Sequence, residues 1–281
     1  MKKILLFIAV VALSFNMNAQ VTTPQPSPLS KVEQKVGLTD VTIEYSRPGV
    51  KGRVVFGDLV PFDKLWRTGA NKNTVITFSD NVTIMDQLLK AGSYAIFVKP
   101  GKAVWEVMFY TDTDNGGTPD KWDDSKVAAR VNAEVHAIPF NVETFTIDIN
   151  QITNSSASIE FIWEKTFTAV PFQVPTDDKV LASINDALNG TPTANDYYAS
   201  AVYYSQEGKD MKQAKAWIDK AMGMSEKPAF WQLRQQSLIY AKSGDKKGAI
   251  EIAKKSLEGA KEAGNDDFIK MNMDSIAEWE K

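Results

Sequence analysis

The chain has 281 residues, with 32 lysines and arginines, 35 aspartates and glutamates, one histidine and no cysteine. Its formal net charge of −3 argues against a general nucleic-acid-binding protein, which needs a basic face. The lack of cysteine excludes a thiol nucleophile, a zinc–thiolate site, disulfide bonds and a lipid-anchor cysteine. A hydrophobic content of 43% is enough for a folded core, and the length fits one large domain or two of ordinary size.

Residues 1–19 have the pattern of a secretory signal peptide. Lys2 and Lys3 give a positive start, and the apolar run over residues 4–15 is too short for a membrane-spanning helix, which needs about 20 residues. Ala19 supplies the small residue of a cleavage site. We therefore expect an exported protein, periplasmic or secreted, that is cleaved near Ala19 and has no membrane span in its mature form. An uncleaved membrane anchor is the alternative.

After an extended, proline-containing leader over residues 20–28, the hydrophobic pattern of residues 29–168 has a period of two. Short runs rich in β-branched and aromatic residues, bounded by turn residues, predict antiparallel strands. The predicted strands cover residues 41–45, 74–78, 94–98, 104–110, 131–138, 145–149 and 159–163. Seven or more such strands favour an all-β sandwich of jelly-roll-like type, although the pattern does not choose between sandwich and jelly-roll topologies.

The period changes after a proline-bracketed linker predicted over residues 169–175, and residues 176–281 are predicted to be helical. The first predicted helix covers residues 176–188 and the last covers residues 266–279. Between them, a pattern of Tyr, Gly and small residues recurs after 35 or 36 positions, close to the period of about 34 in tetratricopeptide repeats. The recurring positions are Tyr204, Gly208, Ala214 and Ala221, then Tyr240, Gly244, Ala249 and Ser256. We predict a tetratricopeptide-like helical domain, with an unspecialised helical bundle as the alternative.

The stretch over residues 45–74 is irregular and rich in glycine, proline, aromatic residues and side-chain donors. Each arginine in it offers a planar fork suited to a carboxylate, phosphate or sulfate. Irregular stretches inside a strand-rich domain commonly form binding loops. The candidate ligand-binding residues are Tyr45, Arg47, Arg53, Trp66, Arg67 and Asn71. The alternative is an internal brace, in which the arginines bond backbone carbonyls or acidic partners such as Asp58 and Asp63, and Trp66 is a core residue.

Three stretches of this domain resemble family 2911 of the domains of unknown function. They read YSRPGVKGRVVFG, LVPFDKLWRTGANKNT and LKAGSYAIFVKPG, and WRTGAN is the most specific block. The resemblance covers roughly residues 26–165. It implies a β-sandwich-like domain of unassigned activity, often followed by a helical tail, in secreted proteins of Bacteroidetes-type bacteria. Family members usually have a Trp-Gly step in the loop after the central strands, whereas this chain has Trp122 followed by Asp123.

Other motifs carry weaker signals. Residues 112–120 resemble a calcium loop, but Gly116 stands where a side-chain ligand is expected and Asp123 where a bidentate glutamate belongs. His136 is the only histidine, so a histidine-based metal site or a Ser-His-Asp triad has a single candidate residue. We therefore predict no catalytic residue, no metal and no cofactor.

These observations favour an exported cell-envelope binding or interaction protein, leaning towards a non-enzymatic role. It would hold an anionic or sugar ligand at the irregular stretch, and a protein or peptide partner on its helices. One alternative is a hydrolase of an envelope polymer or glycan, using a carboxylate pair that the sequence does not assign. Its candidates are Glu44, Glu106, Glu134, Glu143 and Glu160. The other alternative is a purely structural domain.

Overall fold

The computed structural model describes residues 23–281. The predicted signal peptide therefore lies outside the described residues. The described chain forms a nine-stranded antiparallel sheet followed by six helices. These parts are two compact units, of which one ends at Thr176 and the other begins at Asp177.

The strands occupy the chain from Leu29 to Gln173. In the described residues they are β1 (Leu29–Val36), β2 (Thr39–Ser46), β3 (Ala70–Phe78), β4 (Val82–Ile84), β5 (Gln87–Leu89), β6 (Gly92–Pro100), β7 (Val104–Tyr110), β8 (Val127–Asn150) and β9 (Ser156–Gln173). They lie in the order β1-β2-β3-β6-β7-β8-β9-β4-β5, and every neighbouring pair is antiparallel.

The long strand β8 allows this single sheet to enclose its own core. Residues of β8 up to Glu134 pair with β7, whereas residues from Val135 onward pair with β9, and two register shifts bend the strand in its middle. Tyr45 of β2 consequently meets the second half of β8. Its hydroxyl donates to the carbonyl of Ile147 at 3.0 Å and accepts from the amide of Ile147 at 2.8 Å. The predicted sandwich is thus an approximate description, because both layers belong to one sheet.

The all-β prediction for the first unit is confirmed, and every predicted strand overlaps an observed one. The sequence pattern does not predict β1, β4 or β5, because β1 is a largely exposed edge strand and the other two have three residues each. Residues 169–173 are not the predicted linker. They complete β9 instead, since Val170 and Phe172 are buried in the core and Phe172 pairs with β4.

The helices are α1 (Thr176–Asn189), α2 (Ala194–Gln206), α3 (Met211–Gly223), α4 (Phe230–Lys242), α5 (Lys246–Glu262) and α6 (Asp266–Trp279). The predicted first and last helices are confirmed. Gly208 lies between α2 and α3 with a φ of 62°, and Gly244 lies between α4 and α5 with a φ of 89°, a backbone conformation that favours glycine. Ala214 and Ala249 are fully buried, which fits close approach of the helices. The tetratricopeptide assignment itself stays a prediction.

A cluster of aromatic rings occupies the core of the β-rich unit beside the irregular stretch. The indole of Trp66 stacks on that of Trp163 with ring centroids 5.9 Å apart, and its centroid lies 5.1 Å from the ring of Phe145. Phe56 and Trp105 complete this tryptophan cluster. Because Trp66 and Phe56 come from the irregular stretch, the cluster fixes that stretch against the sheet.

Candidate anion-binding site

The stretch between β2 and β3 is held to the sheet by a few specific bonds. The backbone of Trp66 exchanges two hydrogen bonds with Val98 of β6, at 2.8 and 2.9 Å. Closer to β2, the amide of Val50 donates to the carbonyl of Glu143 at 2.8 Å. These bonds give an irregular backbone a defined position beside a rigid scaffold, which suits a binding loop.

Backbone strain concentrates in the same stretch. Four of the seven non-glycine residues with positive φ in the described chain lie between positions 51 and 71, namely Lys51, Asp63, Thr68 and Asn71. Thr68 has a φ of 57°, which is especially unfavourable for a β-branched residue. It is fully buried, and its carbonyl accepts a hydrogen bond of 2.6 Å from the hydroxyl of Thr74. Strain of this kind persists where the surrounding structure enforces it, and it is common at functional sites.

The stretch surrounds a cavity of about 470 Å³, which we call the cationic cavity. Its charged lining residues are Lys51, Arg53, Lys64 and Arg67. The other residues that line it are Pro26, Ser27, Pro48, Gly49, Leu59, Val60, Pro61, Leu65, Trp66, Gly69, Ala70, Thr118 and Trp163. Positively charged groups thus share the cavity with two indoles and several aliphatic side chains.

The charged residues that line the cavity are all positive, and one carboxylate, that of Glu143, lies beside the lining residues Gly49 and Lys51. The lining includes no aspartate or glutamate, and none of the four forms a salt bridge with any residue between 23 and 281. Elsewhere in the same unit, by contrast, Arg130 and Lys99 both bond Glu106, at 3.1 and 3.2 Å. A concave surface with one sign of charge focuses the electric field and attracts counter-ions, here within a chain whose net charge is −3.

The guanidinium of Arg53 is oriented by its own loop. Its Nε donates to the carbonyl of Val50 at 3.0 Å, and its Nη2 donates to the carbonyl of Gly49 at 2.7 Å. These bonds use two of the five N–H groups of the fork and leave the others for a ligand. Orientation before binding reduces the entropy lost when a ligand is captured.

Arg67 carries an unsatisfied donor at this site. Its Nε is buried and has no hydrogen-bond partner among the described residues. The guanidinium lies against Gly117, since a Cβ atom on that residue would come within 2.9 Å of Nη1 of Arg67. Asn73 holds this contact in place, because its Nδ2 donates to the carbonyl of Gly117 at 2.7 Å. A buried donor without a partner is rare in a folded protein, and it adds to the strain of this stretch.

The structure brings three of the six predicted ligand residues, Arg53, Trp66 and Arg67, to the cavity. Tyr45 and Arg47 lie elsewhere and brace the two layers. Tyr45 is 2% exposed, and its hydroxyl bonds β8 as described above. Arg47 donates from Nε to the carbonyl of Phe145 at 2.9 Å and from Nη2 to the hydroxyl of Thr146 at 2.7 Å. Both side chains therefore match the brace alternative.

Asn71 has an indirect relation to the cavity. Its Nδ2 donates to the carbonyl of Ser27 at 3.1 Å and to the hydroxyl of Ser46 at 3.2 Å. Pro26 and Ser27 line the cavity, and the amide of Arg47 donates to the carbonyl of Pro28 at 2.9 Å. Asn71 thus positions a leader segment that forms part of the wall, and it does not itself line the cavity.

Sequence reasoning missed Lys51, Lys64 and Trp163 as members of the site. The two lysines stand within the stretches that carry the family resemblance, so their position near the arginines was the available signal. Trp163 lies in β9, about a hundred positions from Trp66, and nothing in the sequence links the two. Pairing of β9 with β8 brings it to the cavity.

The calcium-like loop has other interactions. The carboxylate of Asp112 accepts a hydrogen bond from the ammonium of Lys126 at 2.9 Å, and this bond lowers the pKa of Asp112. Over residues 23–281, no group of three or more acidic, histidine or cysteine side chains is arranged so that it could hold a metal ion. His136 is exposed on β8, with its ring beside Phe167.

The carboxylates considered for a hydrolase are dispersed over the unit, and none of them lines the cationic cavity. Glu160 is 8% exposed and accepts hydrogen bonds from Asn150 at 2.8 Å and Gln151 at 3.3 Å. Glu143 accepts from the backbone amide of Lys51 at 2.8 Å, and Glu106 bonds basic side chains of the sheet. These three glutamates therefore have partners within the β-rich unit.

The model of a family described as "Protein of unknown function (DUF2911)" matches residues 27–172. The chain belongs to this family. The matched range is slightly more than half of the chain, and it contains every residue of the cationic cavity except Pro26. Comparison with curated proteins and with solved structures found no match.

In the part of the chain that the structure describes, no helix is long and apolar enough to cross a membrane.

The division into brace and cavity residues predicts unequal effects on stability. Arg47→Ala should lower the free energy of unfolding by about 1–3 kcal/mol, because it leaves the Phe145 carbonyl and the Thr146 hydroxyl without their charged donor. Arg53→Ala should lower it by less than about 1 kcal/mol, because its bonds are confined to an exposed loop. Urea titration followed by tryptophan fluorescence measures both. An equal loss, or a larger loss for Arg53→Ala, would contradict the division.

Proposed function

We propose that this protein is an exported binding protein of the bacterial cell envelope, and that its β-rich unit holds a small anionic ligand in the cationic cavity. The observation that carries the proposal is the set of four cations, none in a salt bridge with any described residue, around one cavity whose lining contains no carboxylate. Guanidinium forks and ammonium groups are the donors that proteins use for carboxylates, phosphates and sulfates.

The size and composition of the cavity also support a small-molecule ligand. Its volume of about 470 Å³ falls within the range of ligand pockets, which is roughly 300–1,000 Å³. Such pockets are lined by apolar side chains with a few polar groups at fixed positions. Trp66, Leu59 and Leu65 supply the apolar part here, and the fixed fork of Arg53 supplies one polar group.

The export part of the proposal rests on the sequence of residues 1–19. Expression of the full chain in a bacterial host should yield a periplasmic or secreted protein whose first residue is Gln20, because cleavage is expected after Ala19. N-terminal sequencing of the fractionated protein measures this. A mature protein that retains Met1, or one found only in the cytoplasm, would contradict export.

The helical unit supports a second part of the proposal, which is docking of a peptide or protein partner. A groove of about 740 Å³ lies between α1, α2 and α3. Leu181 and Ile184 of α1 line one side, and Tyr204 and Trp217 line the other. The apolar side chains of α1 are incompletely buried, since Thr176 is its only buried residue. An apolar peptide face would complete their burial.

Peptides selected for binding to the mature protein provide a test of this groove. They should carry apolar anchors at helical spacing and should lose at least about tenfold in affinity for Ile184→Glu, which places a charge in the groove. Lys255→Glu, an exposed position on α5, is the matched control and should leave the affinity unchanged. Peptides that bind both variants equally would argue against the groove.

A ligand screen tests the anion site directly. Phosphate, sulfate, benzoate and gluconate should raise the melting temperature of the mature protein, whereas neutral benzamide and glucose should not. A ligand at one hundred times its Kd adds about 2.7 kcal/mol to stability. The double variant Arg53→Ala/Arg67→Ala should lose the response. Lys90→Ala removes an exposed lysine outside the cavity and should keep it. No response to any anion, or a response that survives in the double variant, would overturn the proposed function.

A further inference from the structure

We propose that the ligand of the cationic cavity is a small organic dianion, in which two acidic groups are joined by a flat, largely apolar body. This inference rests on the proposed function, and it concerns the number of charges on the ligand and the part between them. It is drawn from the distribution of cations, the donor geometry and the apolar lining of the cavity.

The cations of the cavity form two pairs on separate parts of the chain. Lys51 and Arg53 follow β2, whereas Lys64 and Arg67 precede β3. The apolar stretch Leu59-Val60-Pro61 lies between the pairs in sequence and lines the same cavity. Each pair combines one guanidinium fork with one ammonium group, which is a suitable donor set for one carboxylate, phosphate or sulfate.

The donors that remain available also divide between the two pairs. Two of the five guanidinium N–H groups of Arg53 donate to backbone carbonyls, and the other three remain for a ligand. The terminal nitrogens Nη1 and Nη2 of Arg67 have no hydrogen-bond partner among the described residues, whereas its Nε is buried and not accessible to a ligand. A single monoanion bound by one fork would leave the other pair of cations uncompensated, whereas a dianion would give each pair one counter-charge. Charge compensation at close range therefore favours two acidic groups over one.

Apolar side chains line the same cavity as the charged groups. Trp66 and Trp163 line the cavity together with Leu59 and Leu65. A bare inorganic ion would contact few of these groups and would leave most of the 470 Å³ unfilled. A ring-sized organic body would instead cover the indoles, whose contact with a ligand ring is stabilising. An aromatic ring satisfies this requirement, whereas the open, hydroxylated chain of a sugar acid does not.

Two ligand series with a stepwise increase in charge test the inference by calorimetry at one fixed ionic strength, since salt screens the effect. The aromatic series is benzamide, benzoate and isophthalate, and the sugar series is glucose, gluconate and glucarate. In the aromatic series, the dianion should bind at least about tenfold more tightly than the monoanion. A dianion advantage found in the sugar series alone would contradict a flat, apolar body.

Variants from each cation pair show whether both pairs take part. Arg53→Ala and Arg67→Ala should each reduce the advantage of dianion over monoanion to less than about threefold, because each leaves one acidic group without its fork. Arg53→Lys and Arg67→Lys keep the charge and should retain part of the advantage, which separates loss of binding from loss of folding. Lys90→Ala should retain all of it.

The outcomes separate this inference from the proposed function. Binding of no anion in either series would overturn the proposed function itself. Equal affinity for monoanion and dianion would agree with an anion site but would contradict the inference that the ligand carries two acidic groups. A dianion advantage that survives in both alanine variants would overturn the assignment of one acidic group to each pair.

Discussion

Packing of Trp66 against the core is the interaction on which the candidate site depends. The residues between β2 and β3 contain no long strand or helix, so they have few backbone bonds of their own to define their position. The indole of Trp66 stacks on Trp163 and contacts Phe145, and its backbone bonds Val98. These contacts connect the irregular stretch to β6, β8 and β9 together. The positions of Arg67 and Lys64, on either side of Trp66 in the chain, follow from this anchor.

A second constraint is electrostatic. Holding four like charges around one cavity disfavours the empty state, because no described carboxylate lines the cavity or forms a salt bridge with them. The strained backbone at Lys51 and Thr68 adds to the same cost. A protein whose only requirement was stability would gain from replacing either feature, whereas a binding protein recovers the cost when an anion arrives. Both features occur within the range shared with the DUF2911 family.

The arginines of the stretch show why a cluster of similar residues in sequence does not have one role. Arg47 and Arg53 are six positions apart, yet Arg47 reaches across the core to β8 and Arg53 bonds the carbonyls of its own loop. The sequence allows a brace role for some arginines and a binding role for others, without saying which. The structure divides the roles, so that Tyr45 and Arg47 brace while Arg53 and Arg67 line the cavity.

Local patterns in the sequence predicted a β-rich unit followed by a helical unit. They also located the first and last helices and seven stretches of strand, each of which overlaps an observed strand. They succeed because side-chain periodicity and capping residues act over a few positions. Tertiary structure alone decided that β8 changes partners, that residues 169–173 complete β9, and that Trp163 meets Trp66. Those features depend on strand pairing between residues far apart in the chain, and the membership of the cationic cavity depends on the same pairing.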